Sequence, residues 1–218
     1  MLTYTEILKA LSNCIFDELN EDNFYSNIIS LMDTNILKKS WNNGATKLVL
    51  TPPEEDFVIK IPFCGDSFSD SGELLFFEGA EEPDGWDYCL AELLIYNEAL
   101  SFGVERFFLQ TERIGYIHGH PIYVQKKANV FGETNHVYKD YSLEQRQKAR
   151  KICDEVGFDS RPSTLGWTSD FLDCYSKKDL KSLNDFIKTF HINDLHCDNL
   201  GYLNGSPVII DYASYHEW

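Results

Sequence analysis

Residues 191–201 read HINDLHCDNLG, and residues 208–214 follow with VIIDYAS. The loop holds two His, two Asp and two Asn within eleven residues, directly ahead of an apolar strand. Three readings compete for it: a metal site, a phosphoryl-transfer loop, or a polar turn without chemistry. His191 and His196 are five apart, which fits neither the i, i+4 face of a helix nor the i, i+2 face of a strand. Ligation of Zn²⁺ or Fe²⁺ by His191, His196 and Asp198 therefore requires a contorted loop. Asp194, Asn199 and Asp211 form the more economical set. They offer an acceptor for a hydroxyl proton, an amide oxygen and a second carboxylate, the hard oxygen donors that suit Mg²⁺ beside a triphosphate.

The rest of the chain sets the frame for this loop. Its 218 residues, 43% hydrophobic and 14% aromatic, are enough to bury a core in one large domain or two small lobes. Asp and Glu number 35 against 19 Lys and Arg, a formal charge of −16 that opposes non-specific binding to nucleic acid or to anionic membranes. The six Cys form no CxxC pair, and MLTYTEILKALSN at the N-terminus lacks the apolar core of a signal peptide. No stretch approaches the roughly 20 apolar residues that span a bilayer. These features predict a reduced, cytoplasmic protein with neither a nucleic-acid nor a membrane partner.

The hydrophobic pattern divides the chain in three. Residues 1–40 carry apolar residues at helical spacing (Ile7, Leu8, Leu11, Ile15, then Ile28, Leu31, Ile36), predicting two short helices as an N-terminal extension. Over residues 41–128, KLVL and FVIKIPF flank the turn TPPEED as a hairpin. An acidic connection leads to the helix YCLAELLIYNEAL, and RFFLQTERIGYIHGHPIYVQKKA reads as two more strands around a turn at His118–His120. Residues 129–218 hold two helical stretches, YSLEQRQKARKICDEVG and TSDFLDCYSKKDLKSLNDFIKTF, then the loop and the strand PVIID. The acidic run from Glu73 to Asp87 reads as a solvated loop, or as a dock for a cationic acceptor such as an aminoglycoside.

Lys60 is the first candidate outside the loop. The strand period of two puts Phe57, Ile59, Ile61 and Phe63 on one face and Val58 and Lys60 on the other, so Lys60 is either solvated or projects into a cleft with a partner. Two Glu stand on the following helix, Glu92 and Glu98. At about 100° per residue they lie roughly 120° apart, so at most one can meet Lys60. Glu92 is flanked by Ala91, Leu93 and Leu94, whereas Glu98 beside Asn97 reads as a surface residue.

Taken in order, these residues resemble the protein-kinase-like superfamily, including its aminoglycoside and choline phosphotransferase branch, whose loop often reads HGDLHxxN followed by IDF or IDY. Lys60 in VIKIP resembles the third-strand lysine and Glu92 in AELLIYNEAL its helix partner. Asp194 in NDLH resembles the catalytic-loop Asp, Asn199 in CDN the metal-binding Asn, and Asp211 in IDYA the Asp of DFG. The resemblance implies an α+β, two-lobed fold: a small antiparallel-sheet lobe followed by a reduced, mainly helical one. It also implies ATP and Mg²⁺ as cofactors, with Lys60 holding phosphates, Glu92 orienting it, Asn199 and Asp211 on the metal, and Asp194 as base. Lys127 falls at the hinge, where the backbone would meet adenine, and His196 becomes a brace for the loop backbone.

The departures matter too. WNNGATK offers one glycine where G-x-G-x-x-G is expected, leaving Gly44, Ala45 and Thr46, with Asn43 and Lys47 nearby, as the backbone that could approach a phosphate. Ile192-Asn193-Asp194 replaces HRD, and the Arg that would read an activation-loop phosphate is missing. Only seven residues follow Asp211. The resemblance then implies one of three things: a compact phosphotransferase with a protein or small-molecule acceptor, a nucleotide-binding pseudokinase or interaction module, or a homo-oligomer or partner that completes the helical lobe.

Overall fold

The computed structural model describes residues 2–12, 40–43, 46–62, 81–82, 85–117, 119–131, 142–158, 168, 170–192 and 194–213. The second expected N-terminal helix, Phe63, Gly44, Ala45, His118, Asn193 and nearly all of the acidic run lie outside them. The protein is α+β, with small antiparallel sheets and several helices. Two compact units divide the chain, Met1–Leu94 with Gln110–Lys127, and Ile95–Leu109 with Ala128–Trp218.

The first unit is built on a five-stranded sheet. Its elements are α1 (Tyr4–Leu11), β1 (Ser40–Asn43), β2 (Lys47–Thr51), β3 (Phe57–Pro62), the start of α2 (Tyr88–Phe102), β6 (Thr111–Ile117) and β7 (His120–Lys126); β4 (Glu81–Glu82) and β5 (Gly85–Trp86) form a separate small hairpin. The sheet order is β1-β2-β3-β7-β6, antiparallel throughout. The period of two decides what each face presents. Leu48, Leu50, Ile59, Ile61, Ile122 and Val124 gather on one face and close a core with Ile7 and Leu11 of α1, each large side chain contributing about 1.5–3 kcal/mol by burial. α1 is thus part of this core and not an appendage to it. Its start is fixed by a capping box in which Thr3 and Glu6 satisfy each other's backbone N–H groups.

The alternate residues of the same strands, Lys47, Lys60, Tyr123, Gln125 and Thr111, are also buried. Register places Lys60 between Val49 of β2 and Tyr123 of β7, and Gln125 between Val58 and Thr111. This second face of the sheet is therefore polar and removed from water. α2 begins where the Asp87 carboxylate accepts the N–H groups of Cys89 at 2.8 Å and Leu90 at 2.9 Å, a cap that also suits the helix dipole. Asp87, read from sequence as solvated, is in fact fully buried.

The second unit takes the end of α2, a 3-10 turn at Glu105–Phe107, β8 (Asn129–Val130), α3 (Leu143–Val156), α4 (Lys177–Thr189), a 3-10 turn at Cys197–Asn199, β9 (Leu200–Leu203) and β10 (Ser206–Ile209). The latter part of α2 belongs here because Ile95 and Ala99 are buried and the Phe102 ring meets Phe186 and Phe190 edge-on. Both later helices open on capping boxes, Ser142 with Gln145 and Ser176 with Asp179. Ser176 is why the long helical stretch read from sequence breaks before Lys177. A three-stranded sheet, β10-β9-β8, follows the loop, its hairpin turned at Asn204 (φ 52°) and Gly205 (φ 82°). Among the described residues, no helix is long and apolar enough to cross a membrane.

Candidate functional site

Two polar clusters, one in each unit, contain Lys60 with Glu92, and Asp194 with Asn199 and Asp211. In the first unit, Lys60 Nζ lies 2.8 Å from Glu92 Oε2, with the side chains 4% and 0% exposed. The choice between Glu92 and Glu98 is settled by the helix. Tyr88, Ala91, Glu92, Ile95 and Ala99 share its buried stripe, whereas Glu98 is exposed. Glu92 carries more than the expected partner. Lys47 Nζ is 2.6 Å from Oε1, and the Thr111 hydroxyl donates to Oε2 at 2.6 Å while accepting from Gln125 Nε2 at 3.1 Å.

Beside this network the Tyr123 hydroxyl donates to Asp87 Oδ2. Burial and the Asp87 charge raise the Tyr123 phenol above its ordinary range. The Cys89 thiol, fully buried, is pushed well up by desolvation, with Lys47 and Lys60 pulling against Glu92 and Asp87. Sequence reasoning missed Lys47 as a Glu92 partner, along with Thr111 and Gln125. Lys47 and Lys60 share a face through the hairpin register, in which Lys47 stands opposite Pro62 and Lys60 opposite Val49.

Of the other residues expected to meet a nucleotide, Thr46 is buried. The Lys127 side chain is exposed, and its backbone N–H donates to the Asp56 carbonyl at 2.7 Å. That bond ties the chain after β7 to the residue before β3.

In the second unit Asn199 is the hub. Its Nδ2 donates to the Asp194 carbonyl at 2.7 Å and to Asp194 Oδ2 at 3.2 Å, while its backbone carbonyl accepts from Ile210 at 2.9 Å and from Asp211 at 3.3 Å. Asp194, Asn199 and Asp211 are thereby tied together, with Asn199 buried and both Asp half-buried. His196 braces the loop as expected. Its Nδ1 accepts the Asp198 N–H at 3.2 Å, which leaves Nε2 facing Asp194 Oδ1 at 3.6 Å. His191 adopts a left-handed backbone (φ 51°) just after α4 and is exposed. Among the described residues, no three His, Cys, Asp or Glu side chains gather as a metal-binding group. His191, His196 and Asp198 are not brought together as ligands.

No protein-family model matches the chain, and no curated protein matches it.

Proposed function

We propose that this chain is a kinase-like phosphotransferase that uses ATP and Mg²⁺ to phosphorylate a hydroxyl of a protein or small-molecule acceptor. The observation that carries the reading is the buried ion pair between Lys60 on β3 and Glu92 on α2. A strand lysine held by a helix glutamate is the device that positions a cation for nucleotide phosphates. Two features support the two-lobed form of this fold. The sheet order β1-β2-β3-β7-β6, with a helix between β3 and β6 in the chain, suits the small lobe. The loop with Asp194 and Asn199, followed by a hairpin that leads to Asp211, suits the helical one.

The second-unit cluster has the donors that Mg²⁺ requires. Asn199 commits Nδ2 to Asp194, so Oδ1, a hard neutral oxygen, is the atom it presents, and the Asp211 backbone is tied to Asn199 through its N–H. Bound there, the ion would neutralise charge on the phosphates. In the transfer itself, the acceptor oxygen bonds to the γ-phosphorus and the bond to the β,γ-bridging oxygen breaks, releasing ADP. The acceptor proton passes to the Asp194 carboxylate, which Asn199 and His196 hold in place.

Thermal shift with ATP and Mg²⁺, followed by a phosphate-transfer assay on wild type and Asp194→Ala, tests both binding and chemistry. Stabilisation together with transfer that Asp194→Ala abolishes is the expected result. Binding without turnover on any acceptor would favour a nucleotide-binding module. Absence of stabilisation by any nucleotide would remove both readings.

A further inference from the structure

We propose that Tyr123 is a positioning residue for the phosphate-binding end of the site: through Asp87 it holds the start of α2, and thereby the place at which Glu92 presents Lys60 to a nucleotide; the inference rests on the phosphotransferase reading. The register carries it. Lys60 of β3 stands directly opposite Tyr123 of β7, so two neighbouring side chains leave the same polar face of the sheet, with Cβ atoms about 4.5–5.5 Å apart. Lys60 reaches Glu92 at 2.8 Å, and the Tyr123 hydroxyl donates to Asp87 Oδ2. The two acceptors are five residues apart at the start of α2, about 7.5 Å of helix rise. One attachment would let the helix pivot about Glu92, whereas two fix both its height and its direction over the sheet.

The chemistry of Asp87 points the same way. A helix start is capped as well by Ser or Asn, neither of which brings a charge into the interior. The carboxylate adds a second oxygen. Oδ1 accepts the N–H groups of Cys89 at 2.8 Å and Leu90 at 2.9 Å, while Oδ2 takes the Tyr123 hydroxyl, so one fully buried residue joins the first turn of α2 to the strand beside Lys60. Tyr123 acts here through Asp87 and Glu92 and not by contact with the phosphates.

The full chain is compared as wild type, Tyr123→Phe and Thr3→Ala, the last removing the cap of α1 as a stability control. Two readouts are taken: hydrogen exchange of the amides of residues 88–94 without ligand, and affinity for ATP with Mg²⁺. Tyr123→Phe is expected to speed exchange at 88–94 about tenfold and to weaken ATP about fivefold, as displacement of a binding group does. Thr3→Ala should lower the melting temperature with ATP affinity unchanged. Should Tyr123→Phe not fold, Asp87→Asn, which keeps the cap and replaces the Oδ2 acceptor by an amide, reads the same comparison. Exchange at 88–94 that matches wild type overturns the inference, and so does faster exchange with ATP affinity intact, since α2 would then be held for stability alone. A loss of ATP affinity in Thr3→Ala equal to that in Tyr123→Phe overturns it too. Wild type that binds no nucleotide overturns the phosphotransferase reading itself, and the inference falls with it.

Discussion

Asn199 holds Asp194 at two points, with its side-chain amide bonded to the Asp194 carbonyl at 2.7 Å and to the carboxylate at 3.2 Å. One buried side chain therefore fixes both the backbone and the carboxylate of Asp194. Asn199→Ala should cost about 1–3 kcal/mol of stability, because the Asp194 carbonyl loses its donor and the carboxylate a charge-assisted bond. Urea denaturation checks this, and Asn199→Asp should be worse still, since it sets a second negative charge against Asp194. A variant as stable as wild type would mean that the loop is held by something else.

Glu92 contacts two buried ammonium groups, one through each carboxylate oxygen. Glu92→Ala removes the carboxylate that both contact and should destabilise the protein by roughly 3–5 kcal/mol, the penalty for breaking a buried ion pair. Paired replacement is the informative control. Changing Lys47 and Lys60 to Met together with Glu92→Leu should return much of the lost stability. Equilibrium unfolding of the single and triple variants measures the difference.

Cys197 gives a titration test inside the loop. Burial raises its thiol above the ordinary range, and the Asp198 carboxylate, 3.8 Å from Sγ, raises it further. At a given mildly alkaline pH the wild-type thiolate fraction is thus smaller than that of an unperturbed cysteine. Asp198→Asn removes the negative charge, lowers the pKa and should speed alkylation of Cys197, followed by mass spectrometry of the modified peptide. An unchanged rate would show that burial alone sets the thiol.

Gly201 makes room for β8. A Cβ at this position would lie 2.7 Å from the Asn129 carbonyl oxygen, a backbone atom that cannot rotate away. Gly201→Ala should therefore part β8 from β9 and cost about 1–3 kcal/mol, as overpacking does elsewhere. Gly119→Ala is the useful comparison, since nothing lies within 4 Å of its Cβ and only the left-handed φ of +88° resists the change. Thermal melts of the two variants should rank Gly201→Ala lower.

Much of the first unit was legible because its strands alternate. Ile59 and Ile61 point one way and Lys60 the other in the sequence pattern, and the sheet keeps that division. Glu92 was legible through its apolar neighbours on α2. Lys47 as its second partner was not, since cross-strand neighbours depend on register, and register is set by a turn whose geometry a linear reading does not supply. The part of α1 in the core was missed for a related reason: Ile7 and Leu11 mark a helix but not the surface that it covers. β9 was overlooked although Asn204-Gly205 is the residue pair that a tight hairpin favours. In the loop, the spacing of Asp194 and Asn199 suggested a shared site. The bonds that tie Ile210 and Asp211 to Asn199 run between main-chain atoms common to every residue type, which no side-chain pattern reveals.

The strand order also governs when the polar face can form during synthesis. β3 pairs with β2, its neighbour in the chain, and with β7, which leaves the ribosome only after α2 and β6. Until then β3 has an open edge, the kind of surface that recruits foreign strands. α2 emerges before β7, so Glu92 can reach the lysines of the β2–β3 hairpin while that edge is still exposed. β7 is thus the keystone of the nascent sheet, since β6 joins β3 only through it.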